Sequence, residues 1–174
     1  AGPWIITGIF IYQSFISDAK LWSSFAIPKA FMFYSVTSIF SLILSGFLVD
    51  KYTSRKLMPL INIPLLLSLI SLVIFKHELS AFIFLGLIGI TNGLANVLGS
   101  STWAEIYGVK YIGSIKALTT ALMVFSTAFG TALFGILIDQ GFLIENIALI
   151  SGSYIVISLA LLLAFRKKLE PVRV

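Results

Sequence analysis

The chain has 174 residues, of which 59% are hydrophobic and only 11% are charged, and its mean hydropathy is +1.05. A soluble domain is about half apolar and a quarter charged, so this composition excludes an ordinary soluble protein and is typical of a polytopic helical membrane protein. The net charge of +5 does not indicate a nucleic-acid-binding protein, because the basic residues lie at the ends of apolar segments.

Most reactive chemistry is also excluded by composition. The sequence contains no cysteine and one histidine, His77, which excludes disulfides, thiol chemistry and a multi-histidine metal centre. No nucleophile, base and orienting acid lie at a shared depth in the apolar segments. We therefore predict that the chain is not an enzyme and that it has no metal site and no cofactor.

Apolar length predicts six membrane-spanning helices, since a bilayer core needs roughly 20 residues for each crossing. In chain order they cover residues 4–16, 28–49, 57–75, 81–103, 112–138 and 147–165. Pro28 suits a first helical turn, Pro59 lies near the start of the third span, and Pro64 lies where a kink is expected. The predicted fold class is an all-α membrane protein with one six-helix domain over residues 1–174, ending in a cytoplasmic tail over residues 166–174.

Lysine and arginine are divided unevenly between the two sides of these spans. The side reached after the second, fourth and sixth spans carries nine basic residues: Lys51, Arg55, Lys56, Lys110, Lys116, Arg166, Lys167, Lys168 and Arg173. The opposite side carries three: Lys20, Lys29 and Lys76. Because basic residues are retained in the cytoplasm, the first side is predicted to be cytoplasmic, and with six spans both termini lie there too.

A dense run of charge, SGFLVDKYTSRK, follows the second span at residues 45–56. Gly46 lacks a side chain where two helices must approach closely, and Asp50 lies where a carboxylate can face the positive N-terminus of a neighbouring helix. The best acidic partner for the basic residues of this run is Glu105, on another loop of the same side. Those basic residues are Lys51, Arg55 and Lys56. An alternative is that the whole run is only a topogenic charge cluster.

This run resembles the loop signature G-x-x-x-D-[RK]-x-G-x-[RK]-[RK] of the major facilitator superfamily. It departs from the signature at Thr53, where the family usually has glycine. If that position requires a positive φ angle, a β-branched residue would be strained there. The resemblance implies a conformational gate in which Asp50 meets a helix of the same or the opposite half. The gate residues so implied are Gly46, Asp50, Lys51, Arg55 and Lys56, and Glu105 joins them as the acidic partner proposed above.

A second segment, WAEIYGVKYIGSIKALTTALMVFSTAFGTALFGILIDQG at residues 103–141, resembles the end of the tenth helix and the eleventh helix of bacterial members, with Thr131 in place of a frequent proline. The resemblance implies the carboxyl-terminal half of a twelve-helix transporter in the bacterial inner (plasma) membrane. Because the first residue is Ala1 and no signal peptide follows, we expect a piece of a longer protein. The implied partners are the lipid bilayer, the N-terminal six-helix half and a small-molecule solute transported by alternating access. The alternative is a non-transporting membrane scaffold or assembly subunit.

Polar side chains inside the spans are the candidates for solute binding, because they are costly in hydrocarbon. They are Gln13 in the first span and Asn92 and Asn96, which share a face of the fourth. The two asparagines could instead bridge helices. No acidic or basic side chain lies at mid-membrane, so this half is not expected to supply a proton-coupling residue, and we expect a small neutral, weakly acidic or amphipathic solute.

Two series of small residues are predicted to form close-packing helix faces. They are Gly86, Gly89 and Gly93 on the fourth span, and Gly113, Ala117 and Ala121 on the fifth. Small side chains let membrane helices approach backbone to backbone, so each series is expected to have a neighbouring helix.

Overall fold

The computed structural model describes residues 2–108 and 110–165, and every regular element within these ranges is helical. The helices are α1 (Gly2–Ile11), α2 (Gln13–Ala19), α3 (Ala26–Lys51), α4 (Ser54–Leu57), α5 (Asn62–Ile74), α6 (Ser80–Tyr107), α7 (Ile112–Asp139) and α8 (Ile144–Phe165), with a 3-10 turn, Met58–Ile61, between α4 and α5. The all-α membrane fold class is confirmed. The predicted tail, 166–174, lies outside the described residues.

The first apolar segment differs most from its prediction. The sequence predicts one span over residues 4–16, whereas the structure divides this segment into α1 and α2 at Tyr12. In the described chain, five helical segments are long and apolar enough to cross a membrane, and Gly2–Ile11 is a shorter apolar helix. The Tyr12 hydroxyl donates to the Thr131 carbonyl at 3.3 Å, and its ring stacks on Phe134 with a centroid distance of 6.4 Å. These contacts hold the division point against α7.

Two prolines explain the irregular start of the third span. Pro59 and Pro64 have no N–H, so neither can donate the hydrogen bond to the residue four positions earlier that an α-helix requires. The chain instead forms the 3-10 turn Met58–Ile61, and α5 begins at Asn62. The distortion expected at Pro64 therefore lies in the turn that precedes it.

Four helix pairs provide most of the packing: α3 with α6, α5 with α6, α5 with α8, and α1 with α7. The pair α3 and α6 approaches most closely through glycines. A Cβ at Gly89 would overlap the Tyr34 carbonyl, and one at Gly93 would lie 2.7 Å from the Leu42 nitrogen. Gly86 similarly faces a phenylalanine ring of α3. The close packing predicted for this glycine series is confirmed.

The small-residue series on α7 has no such neighbour within the described residues. A Cβ at Gly113 would meet nothing within 4 Å, and Ala117 and Ala121 are exposed. No residue of α7 between positions 112 and 129 is buried, and the buried contacts of this helix begin at Gly130, against α1. The close packing predicted for this series is thus wrong inside the described part of the chain.

The two ends of the bundle are packed differently. We call the end with connections 20–25, 75–79 and 140–143 the packed end, and the end with connections 52–53 and 108–111 the signature end. The apolar core lies toward the packed end. Most of its residues come from the first parts of α3, α6 and α8, which begin at that end, from α5, and from Phe134 near the end of α7. The buried polar side chains toward the signature end are Ser41, Ser45, Ser54, Asn62, Thr91 and Thr102.

Candidate gate and solute-facing surface

The signature loop is a sharp break between α3 and α4. Tyr52 ends α3 with φ −127° and ψ 148°, and Thr53 precedes α4 with φ −60° and ψ 131°. Both are extended conformations that any L residue adopts. The strain expected at Thr53 is therefore wrong for this structure, because its φ angle is negative and a glycine is not required there.

Glu105, near the end of α6, anchors the start of α4. Its Oε1 accepts a hydrogen bond from the Ser54 backbone N–H at 2.9 Å, and its Oε2 lies 3.7 Å from the Arg55 Nε. The Arg55 guanidinium also donates to the Glu105 backbone carbonyl. One turn earlier on α6, the Thr102 hydroxyl donates to the Ser54 hydroxyl at 3.1 Å, and both of these side chains are buried. A carboxylate at the first N–H of a helix is favourable, so the contact joins α4 to α6.

The remaining gate residues do not join this contact. Asp50, Lys51 and Lys56 are exposed and take part in no ion pair among the described residues. A Cβ at Gly46 would meet nothing within 4 Å. The structure therefore brings Arg55 and Glu105 together and leaves the other gate residues outside this contact, with the Lys51 Nζ 5.6 Å from the centroid of the Tyr52 ring.

The two asparagines on α6 form a connected pair. The Asn92 side-chain amide donates to the Ser38 hydroxyl of α3 at 3.3 Å, and the Asn96 side-chain amide donates to the Asn92 backbone carbonyl at 2.9 Å. Asn92 is half-buried and thus bridges two helices, whereas Asn96 is exposed. Of the two, Asn96 is the one whose surface is open to a solute.

Gln13 is not part of this pair, since it lines a separate cavity of about 440 Å³ between α2 and the start of α3. Its Oε1 is fully buried and accepts no hydrogen bond in the described chain. The cavity walls are formed by Gln13, Ser14, Ser17, Asp18, Ser24, Ile27, Pro28 and Phe31.

Sequence reasoning missed the polar contacts at the packed end. The Lys20 Nζ lies 2.7 Å from the Glu145 Oε1, and the exposed fractions of the two side chains are 1% and 30%. The Trp22 indole donates to the Lys76 carbonyl at 3.0 Å, and Ser23 likewise donates to a glutamate of the 75–79 connection. The sequence placed Lys20 and Glu145 on the same side of the membrane, but other acidic and basic residues lie there too. Their separation of 125 positions gave no indication that these two would pair.

Comparisons with known proteins agree with the resemblance seen in the sequence. The model of the family described as Major Facilitator Superfamily matches residues 2–174. The chain is 29% identical over 130 residues to a phosphoglycerate transporter protein from Salmonella typhimurium (strain LT2), and the match covers 72% of this chain and 28% of that relative. The chain thus spans little more than a quarter of the relative's length. No solved structure gave a significant match.

Proposed function

The chain belongs to the Major Facilitator Superfamily and is an integral membrane protein, and from this premise we propose that it forms the carboxyl-terminal half, helices seven to twelve, of a transporter. The transporter moves a small solute by alternating access, in which two bundles rock around a central site. The observation that carries the proposal is the family match, because it extends over residues 2–174 and so over all six apolar segments.

The second bundle is the partner that covers the unpartnered faces of α3 and α7. Only 11% of the most apolar part of each of these helices is buried, against 50% for α6. On each helix, four of the exposed apolar side chains recur every three or four residues and therefore lie along one stripe. The stripes consist of Val36, Phe40, Ile43 and Phe47 on α3, and Leu118, Leu122, Phe125 and Phe129 on α7.

In this proposal the signature loop divides into two parts with separate roles. Arg55 and Glu105 hold α4 against α6 and keep this half rigid. Asp50, which is exposed beside the open surface at Gly46, makes its contact with the partner half in one conformational state. Lys51 and Lys56 supply the positive charge that orients the loop toward the cytoplasm.

We place solute contact at Asn96. Asn92 accepts a hydrogen bond from the Asn96 side chain and is itself hydrogen-bonded to Ser38 of α3, so it holds Asn96 in position. Gln13 stays outside this pair, because none of the residues that line its cavity is on α6. The substrate named in the relative's description, phosphoglycerate, is an anion, and no lysine or arginine lies near the middle of the described spans. The basic groups for such an anion would have to come from the other half.

The signature end faces the cytoplasm of a bacterial inner membrane in this proposal, supported by the excess of lysine and arginine on that side. These 174 residues contain no cysteine, so a single cysteine introduced here reports sidedness once any cysteine elsewhere in the full-length protein has been replaced. We expect Lys56→Cys to react with a membrane-impermeant maleimide from the cytoplasmic side and Lys76→Cys from the opposite side. Reaction of both from the same side would contradict the topology.

Transport by the full-length gene product is tested in proteoliposomes that are given a mixture of small metabolites, with uptake measured by mass spectrometry. We expect Asp50→Asn to reduce uptake more than about tenfold, the effect of losing one charge-assisted contact. The matched control is Asp139→Asn, because both aspartates are exposed and lie in the last turn of a long helix. Asp139 lies at the packed end and should leave uptake unchanged.

Two outcomes would count against the proposal. If the wild type takes up no solute and copurifies with an unrelated membrane protein, the scaffold function is favoured. If both aspartate variants reduce uptake equally, the loss reflects a general effect of charge on the protein and not a gate at Asp50.

A further inference from the structure

The cavity beside Gln13 has a polar wall and an apolar wall. Gln13 and Ser17 are four positions apart on α2, as are Ser14 and Asp18, so these four side chains share one face of that helix. The opposite wall comes from the start of α3 and includes Phe31, whose ring packs on Phe10 with a centroid distance of 5.4 Å. A ligand here therefore meets hydrogen-bonding groups on one side and a fixed aromatic ring on the other.

The polar wall contains an acceptor, the Gln13 Oε1, that has no hydrogen-bond donor among the described residues. The Gln13 Oε1 is buried and accepts no hydrogen bond within the described chain. Buried acceptors in proteins are nearly always paired, because an unpaired one loses its hydration without compensation. Since an amide oxygen can only accept, the missing partner must carry an N–H or O–H group or be a cation.

The charge of the cavity favours a cation. Asp18 lines it and is in no ion pair with any described residue. The lysine nearest in sequence, Lys20, is already paired with Glu145, and Lys29 is not among the lining residues. Three serines also line the cavity, and their hydroxyls can accept further hydrogen bonds.

The size of the cavity favours an organic cation over a metal ion. At about 440 Å³ it falls in the range of small-molecule sites and far exceeds the roughly 30 Å³ that one water occupies. A bare metal ion needs several oxygen ligands close around it, which a wide and partly apolar cavity does not offer. An alkyl chain can instead pack on Ile27 and Phe31 while a cationic group faces the opposite, polar wall.

We propose that the cavity between α2 and α3 binds a small organic cation with a primary ammonium group. The ammonium donates to the Asp18 carboxylate and, once the Gln13 amide turns its oxygen toward the cavity, to the Gln13 Oε1. Its alkyl part lies against Ile27 and Phe31. The site is at the packed end, away from Asn96 and the signature loop. Binding is measured without transport, so failure of binding here and failure of the transport proposal are separate results.

The test uses the full-length protein in lipid nanodiscs and follows binding of n-butylammonium by isothermal titration calorimetry. We expect Asp18→Asn and Gln13→Leu each to weaken binding by about tenfold, as expected for the loss of one hydrogen bond to a charged group. Asp18→Glu keeps the charge and should retain most of the affinity. Gln13→Leu removes a buried unpaired oxygen, so it should fold at least as well as the wild type.

Two comparisons separate this site from general electrostatic binding. Asp139→Asn removes an exposed carboxylate at the same end of the bundle and should leave the affinity within about twofold. The neutral probe 1-butanol should bind at least about tenfold more weakly than n-butylammonium. Equal loss in Asp18→Asn and Asp139→Asn would overturn the proposal. So would sodium binding that depends on Asp18 and is not displaced by n-butylammonium.

Discussion

At the packed end, an apolar core drawn from all six apolar segments is accompanied by the ion pair of Lys20 and Glu145, with Lys20 almost fully buried. Toward the signature end, the buried side chains are mostly polar, with Leu98 a large apolar exception, and Asp50, Lys51 and Lys56 are exposed. The same six segments are therefore held together by different interactions at their two ends. Non-directional apolar burial dominates at one, and a few hydrogen bonds around Glu105 dominate at the other.

The difference indicates which end can change its contacts at low cost. Breaking the packed end exposes apolar area and separates a buried charge pair, whereas the exposed polar contacts at the signature end can be replaced by contacts with water. We propose that the packed end moves as a rigid unit and that the signature end changes partners during transport. The exposed first part of α7 fits this division, because its buried contacts begin only at Gly130.

The largest expected effect comes from breaking the close approach of α3 and α6. Gly93→Val places a branched side chain where even a Cβ would lie 2.7 Å from the Leu42 nitrogen and 2.8 Å from the Ser41 Cβ. Because the obstacle is backbone and cannot rotate away, we expect a loss of about 3 kcal/mol or failure to accumulate. Thermal unfolding of the full-length protein, followed by fluorescence-detected size exclusion, measures it.

Gly46→Val is the matched control, because a Cβ at Gly46 meets nothing within 4 Å. We expect its unfolding temperature to stay close to that of the wild type while transport falls, since this surface is proposed to meet the partner half. If Gly93→Val and Gly46→Val destabilise the protein equally, the close contact at Gly93 is not what makes a side chain there harmful.

A smaller effect is expected from the ion pair at the packed end, and the two partners should differ. Glu145→Gln leaves the Lys20 ammonium unpaired although only 1% of its side chain is exposed, so we expect a loss of about 3 kcal/mol or slightly less. Lys20→Met leaves a carboxylate that is 30% exposed and can hydrate, so we expect only about 1 kcal/mol. Thermal unfolding of both variants gives the order.

The double variant Lys20→Met with Glu145→Gln completes the cycle. Removing both charges should restore much of the stability lost in Glu145→Gln, because no buried charge remains uncompensated. If Lys20→Met proves the more harmful single change, the buried lysine is stabilised by something other than Glu145.

The sequence predicted the fold class and the family well because both depend on local signals. Apolar length located six segments, and the spacing from Gly46 to Lys56 indicated the family, which the family match confirms. The break at Tyr12 was not predictable in this way, because it depends on a contact with Thr131 that is 119 positions distant.

The candidate sites were predictable only as residue types. Asn92 and Asn96 were identified by their shared helix face, but the bond from Asn92 to Ser38 depends on how α3 packs on α6. Gln13 was grouped with them because polar side chains in apolar segments look alike in sequence. Its separate cavity depends on the angle between α2 and α3, which no local pattern encodes.

The smallest expected effect concerns Thr53, the one departure from the family signature. Its φ of −60° and ψ of 131° suit threonine, and its side chain makes no capping hydrogen bond. Thr53→Gly therefore gains no relief of strain and should lower the unfolding free energy by about 0.5–1 kcal/mol through added freedom of the unfolded chain. Thr53→Ala keeps the Cβ and should change stability less. If Thr53→Gly raises the transport rate, the loop must pass through a positive φ angle in another state, and the signature end would then change its backbone as well as its partners.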